Sequence, residues 1–166
     1  MEPYLEYKAM KYILDCGMGT ELSSRGFNVP DWKKSIWSAQ VLLEHPDAII
    51  EVHKDNIAAG CNIITTNNYY VTPTILSRNG IEHKTNELTQ LSIDLAKTAK
   101  NGNKDVLIAG SFPPMETSFR PDLTPSKTIM DDFYSSIGSI MEEQVDIILC
   151  ESMSSIKEGI TAASNA

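Results

Sequence analysis

The chain has 166 residues, 42% of them hydrophobic and 22% charged, which suits one folded domain, or part of a larger one, and excludes a disordered chain. Its 14 basic and 22 acidic residues give a net charge of −8, which argues against nucleic acid or an anionic membrane surface as a partner. No apolar run approaches the roughly 20 residues that span a bilayer, and the opening MEPYLEYKAMKYIL lacks the apolar stretch of a signal peptide, so a cytoplasmic protein is expected.

Short runs rich in Ile, Val and Leu alternate with helical patterns, the mark of parallel βα units, and four are predicted. The first strand is expected over Tyr12–Asp15, followed by the glycine-rich DCGMGTELSSRG, a loop through Pro30 and Trp37, and a helix over 46–59 that Gly60 stops. The second is expected over Asn62–Thr66, ending in TTNNYY, with a helix over Thr85–Lys100 closed by the turn NGNKD. The third is expected over Val106–Ala109. The segment GSFPPMETSFRPDL after it has three prolines and reads as a long loop, a place where function concentrates.

Ser126 precedes a predicted helix to about Glu143, whose Ile129, Phe133, Ile137, Ile140 and Met141 are spaced to face the sheet. The fourth strand is expected over Asp146–Cys150, ending in Glu151, and Ser155 opens a last helix. Parallel strands joined by helices leave two architectures, an open doubly wound sheet or a barrel. A nucleotide site would need GxGxxG or GxxxxGK[ST]; the GMG after the first strand has neither spacing.

In either architecture ligands gather at the carboxyl ends of the strands. Those ends carry Asp15, then Thr65, Thr66 and Asn67, then Gly110 and Ser111, then Glu151. Two carboxylates converging from the first and fourth strands would suit an ammonium group, a metal or acid-base chemistry; equally, an Asp there can cap a turn and a Glu can be a solvated loop residue. The glycines around Met18 expose backbone N–H groups that can hold a carboxylate. Together such groups would read the two charged ends of an amino acid.

Cys16, Cys61 and Cys150 are odd in number and widely spaced, fit neither a disulfide framework nor a metal knuckle, and read as small buried hydrophobes. His45, His53 and His83 fall within or near helices, as surface or helix-packing residues, so a nucleophilic triad with Ser111, Thr65 or Thr66 has little support.

The segments ILDCGMGTELSSRG, IWSAQVLLEHPDAIIEVHKDNIAAGCNIITTNNYY, IAGSFPPMETSFRPDL and DIILCESMSS together resemble the homocysteine S-methyltransferase family, over about Ile13 to Glu158. The resemblance implies a (β/α)8 barrel of TIM type, with residues 1–166 forming its N-terminal part: about four βα units, a half barrel, and no second domain. It implies transfer of a methyl group from a sulfonium donor, S-methylmethionine or S-adenosylmethionine, to homocysteine, giving methionine. By resemblance Asp15 and Glu151 hold the homocysteine ammonium, and Gly17, Met18, Thr65, Thr66 and Asn67 line the pocket around it.

The family uses zinc, held by three cysteines in late motifs that this sequence does not contain, and Cys16 stands where the family pattern has glycine. No metal site, no catalytic residue and no zinc are therefore expected in this chain alone. The expected state is an incomplete or inactive methyltransferase that associates with itself or with a complementary half barrel; the alternative is a non-catalytic amino-acid-binding or interaction module.

Overall fold

The computed structural model describes residues 11–166, so most of the opening segment lies outside the described residues. The fold is α/β. Three parallel strands, β1 (Ile63–Thr65), β2 (Leu107–Phe112) and β3 (Ile147–Cys150), form a sheet in the order β1-β2-β3. Ile63 pairs with Leu107, and Ala109 with Ile147, which fixes both registers.

Four longer helices cover the sheet: α3 (Pro46–Ala58), α5 (Thr85–Lys100), α6 (Lys127–Met141) and α7 (Ile156–Ser164). They pack as neighbours in chain order, α3 on α5, α5 on α6 and α6 on α7, so they lie side by side along one face. Ile64, Val106 and Ile108 meet Ala96 beneath that layer. Ser126 and Ser155 cap α6 and α7, their hydroxyls accepting from Ile129 N and Glu158 N. Asn101, at φ +46°, ends α5 in the left-handed conformation that NGNK permits.

Several expectations are corrected. The first apolar run is not a strand: it joins the sheet by one bridge, Leu14 to Ile63. On either flank of that bridge side chains take the place of ladder bonds: Asn62 Oδ1 accepts from Ile13 N at 2.7 Å, Asn62 Nδ2 donates to the Lys11 carbonyl at 3.2 Å, and Asp15 Oδ2 accepts from Thr65 N at 2.8 Å. Tyr12, Ile13 and Leu14 are about half exposed. The third strand runs on through Gly110 and Ser111 to Phe112, because Gly110 admits the Met141 side chain: a Cβ there would lie 2.5 Å from its sulfur.

The stretch read as loop between Gly17 and Pro46 contains two short helices, α1 (Met18–Ser24) and α2 (Ser38–Glu44). Another, α4 (Pro73–Leu76), opens with the Thr72 hydroxyl accepting from Ile75 N. On α6 the buried stripe is Met130, Phe133, Tyr134, Ile137 and Met141, while Ile129 faces outward. Segment 113–126 remains irregular apart from a 3-10 turn over Pro121–Leu123. Among the described residues no helix is long and apolar enough to cross a membrane.

Candidate functional site

The carboxyl ends of β1 and β3, the chain after Leu14 and the segment after β2 enclose a cleft of about 640 Å³. All seven candidate residues, Asp15, Gly17, Met18, Thr65, Thr66, Asn67 and Glu151, line it. Parallel topology explains this convergence, since every strand presents its C-terminal end to the same side.

Asp15 is fixed by one neighbour. Thr65 N donates to Oδ2 at 2.8 Å and Thr65 Oγ1 to Oδ1 at 2.9 Å, so both carboxylate oxygens are aimed by the end of β1. Burial pushes its pKa above the ordinary carboxylate range, against the opposing effect of the Thr65 bonds. Glu151 accepts from Ser111 Oγ at 2.6 Å. Burial raises its pKa too; the Ser111 bond opposes this and the Asp15 charge adds to it. Two partly desolvated acids facing one cleft are stabilised by a cation.

Behind them runs a buried polar chain. Thr66 Oγ1 donates to Asn68 Oδ1 at 2.6 Å, Ser111 N donates to Thr66 Oγ1 at 2.9 Å, and Asn68 Nδ2 donates to the Ser111 carbonyl at 2.8 Å. Asn67 is 4% exposed, and its buried Nδ2 has no hydrogen-bond partner among the described residues. Thr66 therefore supports the strand ends, whereas Asn67 keeps a free donor.

The rest of the wall is aromatic. Trp37 packs edge-on against Tyr70 at 5.1 Å and Tyr69 at 6.4 Å, and Trp32 meets Phe119 at 5.5 Å. Arg78 ties the two outer loops together, donating to the Trp32 carbonyl at 2.8 Å and to Glu116 Oε2 at 2.6 Å. Glu158, 1% exposed, holds the inner ends: it accepts from Met115 N at 2.9 Å and Ser154 N at 3.1 Å. None of these aromatic or bracing residues stood out in the sequence, because their partners lie far along the chain.

The cysteines differ from expectation: Cys16 is exposed at the cleft, and Cys61 and Cys150 are half-buried. Cys61 donates to the Leu14 carbonyl at 3.3 Å, and burial raises the pKa of both Cys61 and Cys150, which holds them as thiols. Among the described residues no three His, Cys, Asp or Glu side chains come together as a metal site. His53 is a helix-packing residue as expected, fully buried on α3, but it also faces Asp15, with Nδ1 3.8 Å from Oδ2.

The family model for homocysteine S-methyltransferase matches residues 12–166. Homocysteine S-methyltransferase of Escherichia coli (strain K12) is 30% identical over 161 residues, covering 88% of this chain and 51% of that protein. Homocysteine S-methyltransferase YbgG of Bacillus subtilis (strain 168) is 27% identical over 164 residues, with the same coverage. The crystal structure of the homocysteine methyltransferase MmuM from Escherichia coli, metallated form, superposes with a TM-score of 0.77 at 28% identity, covering 95% of this chain and 62% of that one. Its oxidised form gives 0.79 at 29% identity, covering 93% and 57%. The chain spans about half the length of the curated relatives it matches. With the match running through nearly every described residue and both cleft carboxylates, the chain belongs to the homocysteine S-methyltransferase family.

Proposed function

We propose that this chain forms the amino-acid-binding part of a homocysteine S-methyltransferase, the first half of a (β/α)8 barrel domain. Asp15 and Glu151 take the homocysteine ammonium. The backbone at Gly17 and Met18, with Thr65, Thr66 and Asn67, surrounds the same end of the ligand. The single observation that carries this reading is the pair of partly buried carboxylates, each aimed by a hydroxyl donor, Thr65 or Ser111, into one cleft of a chain from this family.

The methyl donor is a sulfonium such as S-methylmethionine or S-adenosylmethionine. The homocysteine sulfur attacks its methyl carbon, the bond from that carbon to the donor sulfur breaks with its electron pair, and the thiol proton is released. A sulfonium is a cation that the aromatic wall of Trp37, Tyr69 and Tyr70 suits by cation–π attraction. Thiol activation by zinc requires ligands from outside the described residues.

The test is to supply the chain with homocysteine, S-methylmethionine and zinc, following binding by calorimetry and methionine by mass spectrometry. Homocysteine binding without methionine formation is expected. Robust methionine formation contradicts the division of labour, and absence of binding contradicts the site.

A further inference from the structure

His53 is fully buried on α3, and neither ring nitrogen has a hydrogen-bond partner among the described residues. A buried polar atom left unpaired costs stability, so a ring with two such atoms calls for an explanation. The geometry offers one. Nδ1 lies 3.8 Å from Asp15 Oδ2, and the Asp15 side chain is itself only 7% exposed. That separation is too long for a hydrogen bond, and a movement of about 1 Å closes it.

Thr65 already donates to both Asp15 oxygens from the β1 side. His53 reaches the same carboxylate from the α3 side. Burial lowers the imidazole pKa to about 4, so the ring is neutral at neutral pH. A neutral donor steadies a carboxylate without cancelling its charge; a lysine or arginine at this position would form an ion pair and compete with a cationic ligand.

We propose that His53 is a positioning residue for Asp15, its Nδ1–H donating to Oδ2 when a ligand ammonium engages that carboxylate. The proposal rests on the reading of Asp15 as the ammonium site. It assigns the binding machinery a further contributor, on a helix behind the cleft.

The experiment titrates the whole chain with homocysteine and with 4-sulfanylbutanoate, which lacks only the ammonium. His53→Leu keeps the volume and removes the donor; His53→Asn keeps an amide N–H near the Nδ1 position. His53→Leu is expected to weaken homocysteine by about tenfold, the scale of one hydrogen bond to a charged group, to leave 4-sulfanylbutanoate unchanged, and to be largely rescued in His53→Asn. Equal weakening of both ligands, unchanged homocysteine affinity or failure of His53→Asn to rescue overturns the proposal. Should His53→Leu not fold, imidazole ¹⁵N resonances of the wild-type chain decide. An Nδ1–H tautomer whose signal moves with homocysteine but not with 4-sulfanylbutanoate supports it, and an Nε2–H tautomer or an unmoved signal overturns it. If the wild-type chain binds no homocysteine, the reading of the site fails first and the His53 role falls with it.

Discussion

Thr65 holds both oxygens of Asp15, one through its backbone N–H at 2.8 Å and the other through its hydroxyl at 2.9 Å. The pair joins the end of β1 to the first cleft residue and sets the direction in which the carboxylate is offered. Thr65→Val keeps the shape and the N–H but removes the hydroxyl donor. It is expected to cost about 1 kcal/mol of stability, and to weaken homocysteine about tenfold by freeing the carboxylate to rotate. Urea unfolding and calorimetry read the two effects separately; unchanged affinity would mean that the backbone bond alone aims Asp15.

Acid should weaken binding early. The Asp15 and Glu151 pKa values are both raised by burial, so the carboxylates gain protons at higher pH than ordinary ones do. Homocysteine affinity therefore falls as pH drops through those raised values. Stability runs the opposite way. Below the unfolded pKa both states hold the proton and neither group contributes; as pH rises from the unfolded pKa to the raised folded pKa a penalty develops, and above the folded pKa it stays constant. Glu151→Gln removes one such penalty while its carbonyl still accepts from Ser111. It is expected to be more stable at neutral pH by on the order of 1 kcal/mol, and to bind homocysteine at least tenfold more weakly. Thermal unfolding at neutral and at acid pH checks the sign: the gain should shrink in acid.

Gly19 gives Trp37 its place. A Cβ at 19 would lie 2.3 Å from Trp37 Cζ2, and Trp37 is itself held at φ +43°. Gly19→Ala is therefore expected to lose about 1–3 kcal/mol and to displace the indole from the cleft wall. A lower melting temperature with an altered near-ultraviolet circular dichroism band is the signature; an unchanged spectrum would place the ring elsewhere in solution.

Arg78 braces two loops through Glu116 and the Trp32 and Ser35 carbonyls, with both charged side chains about one-fifth exposed. Arg78→Ala is expected to cost about 1–2 kcal/mol, between the exposed and buried cases. It should also raise amide exchange over residues 31–35 and 113–119 while leaving β2 protected. Uniform exchange across the chain would show a global rather than a local brace.

Much of the scaffold was legible from residue pattern. α5 occupies the predicted Thr85–Lys100, α3 the predicted span to within a residue, and Ser126 and Ser155 cap their helices as their positions imply. The convergence of the candidate residues was legible for one reason: parallel strands deliver their C-terminal ends to the same side. What escaped depends on three-dimensional neighbours. Nothing around Tyr12 shows that the Asn62 side chain will bond Ile13 N and the Lys11 carbonyl, and the glycines of GMG mask the helix that begins at Met18. His53 looks like any other polar residue on an amphipathic helix, because its facing partner Asp15 lies on a separate segment.

We propose that the cleft recognises an ammonium with Asp15 and Glu151. The most direct measurement is the affinity of the wild-type chain for homocysteine against 4-sulfanylbutanoate at neutral pH, by calorimetry. Hydrogen bonds from a charged group are worth roughly 1.5–3 kcal/mol each, so a preference for homocysteine of about tenfold or more is predicted. Equal affinity for the two ligands would mean that Asp15 and Glu151 do not hold the ammonium.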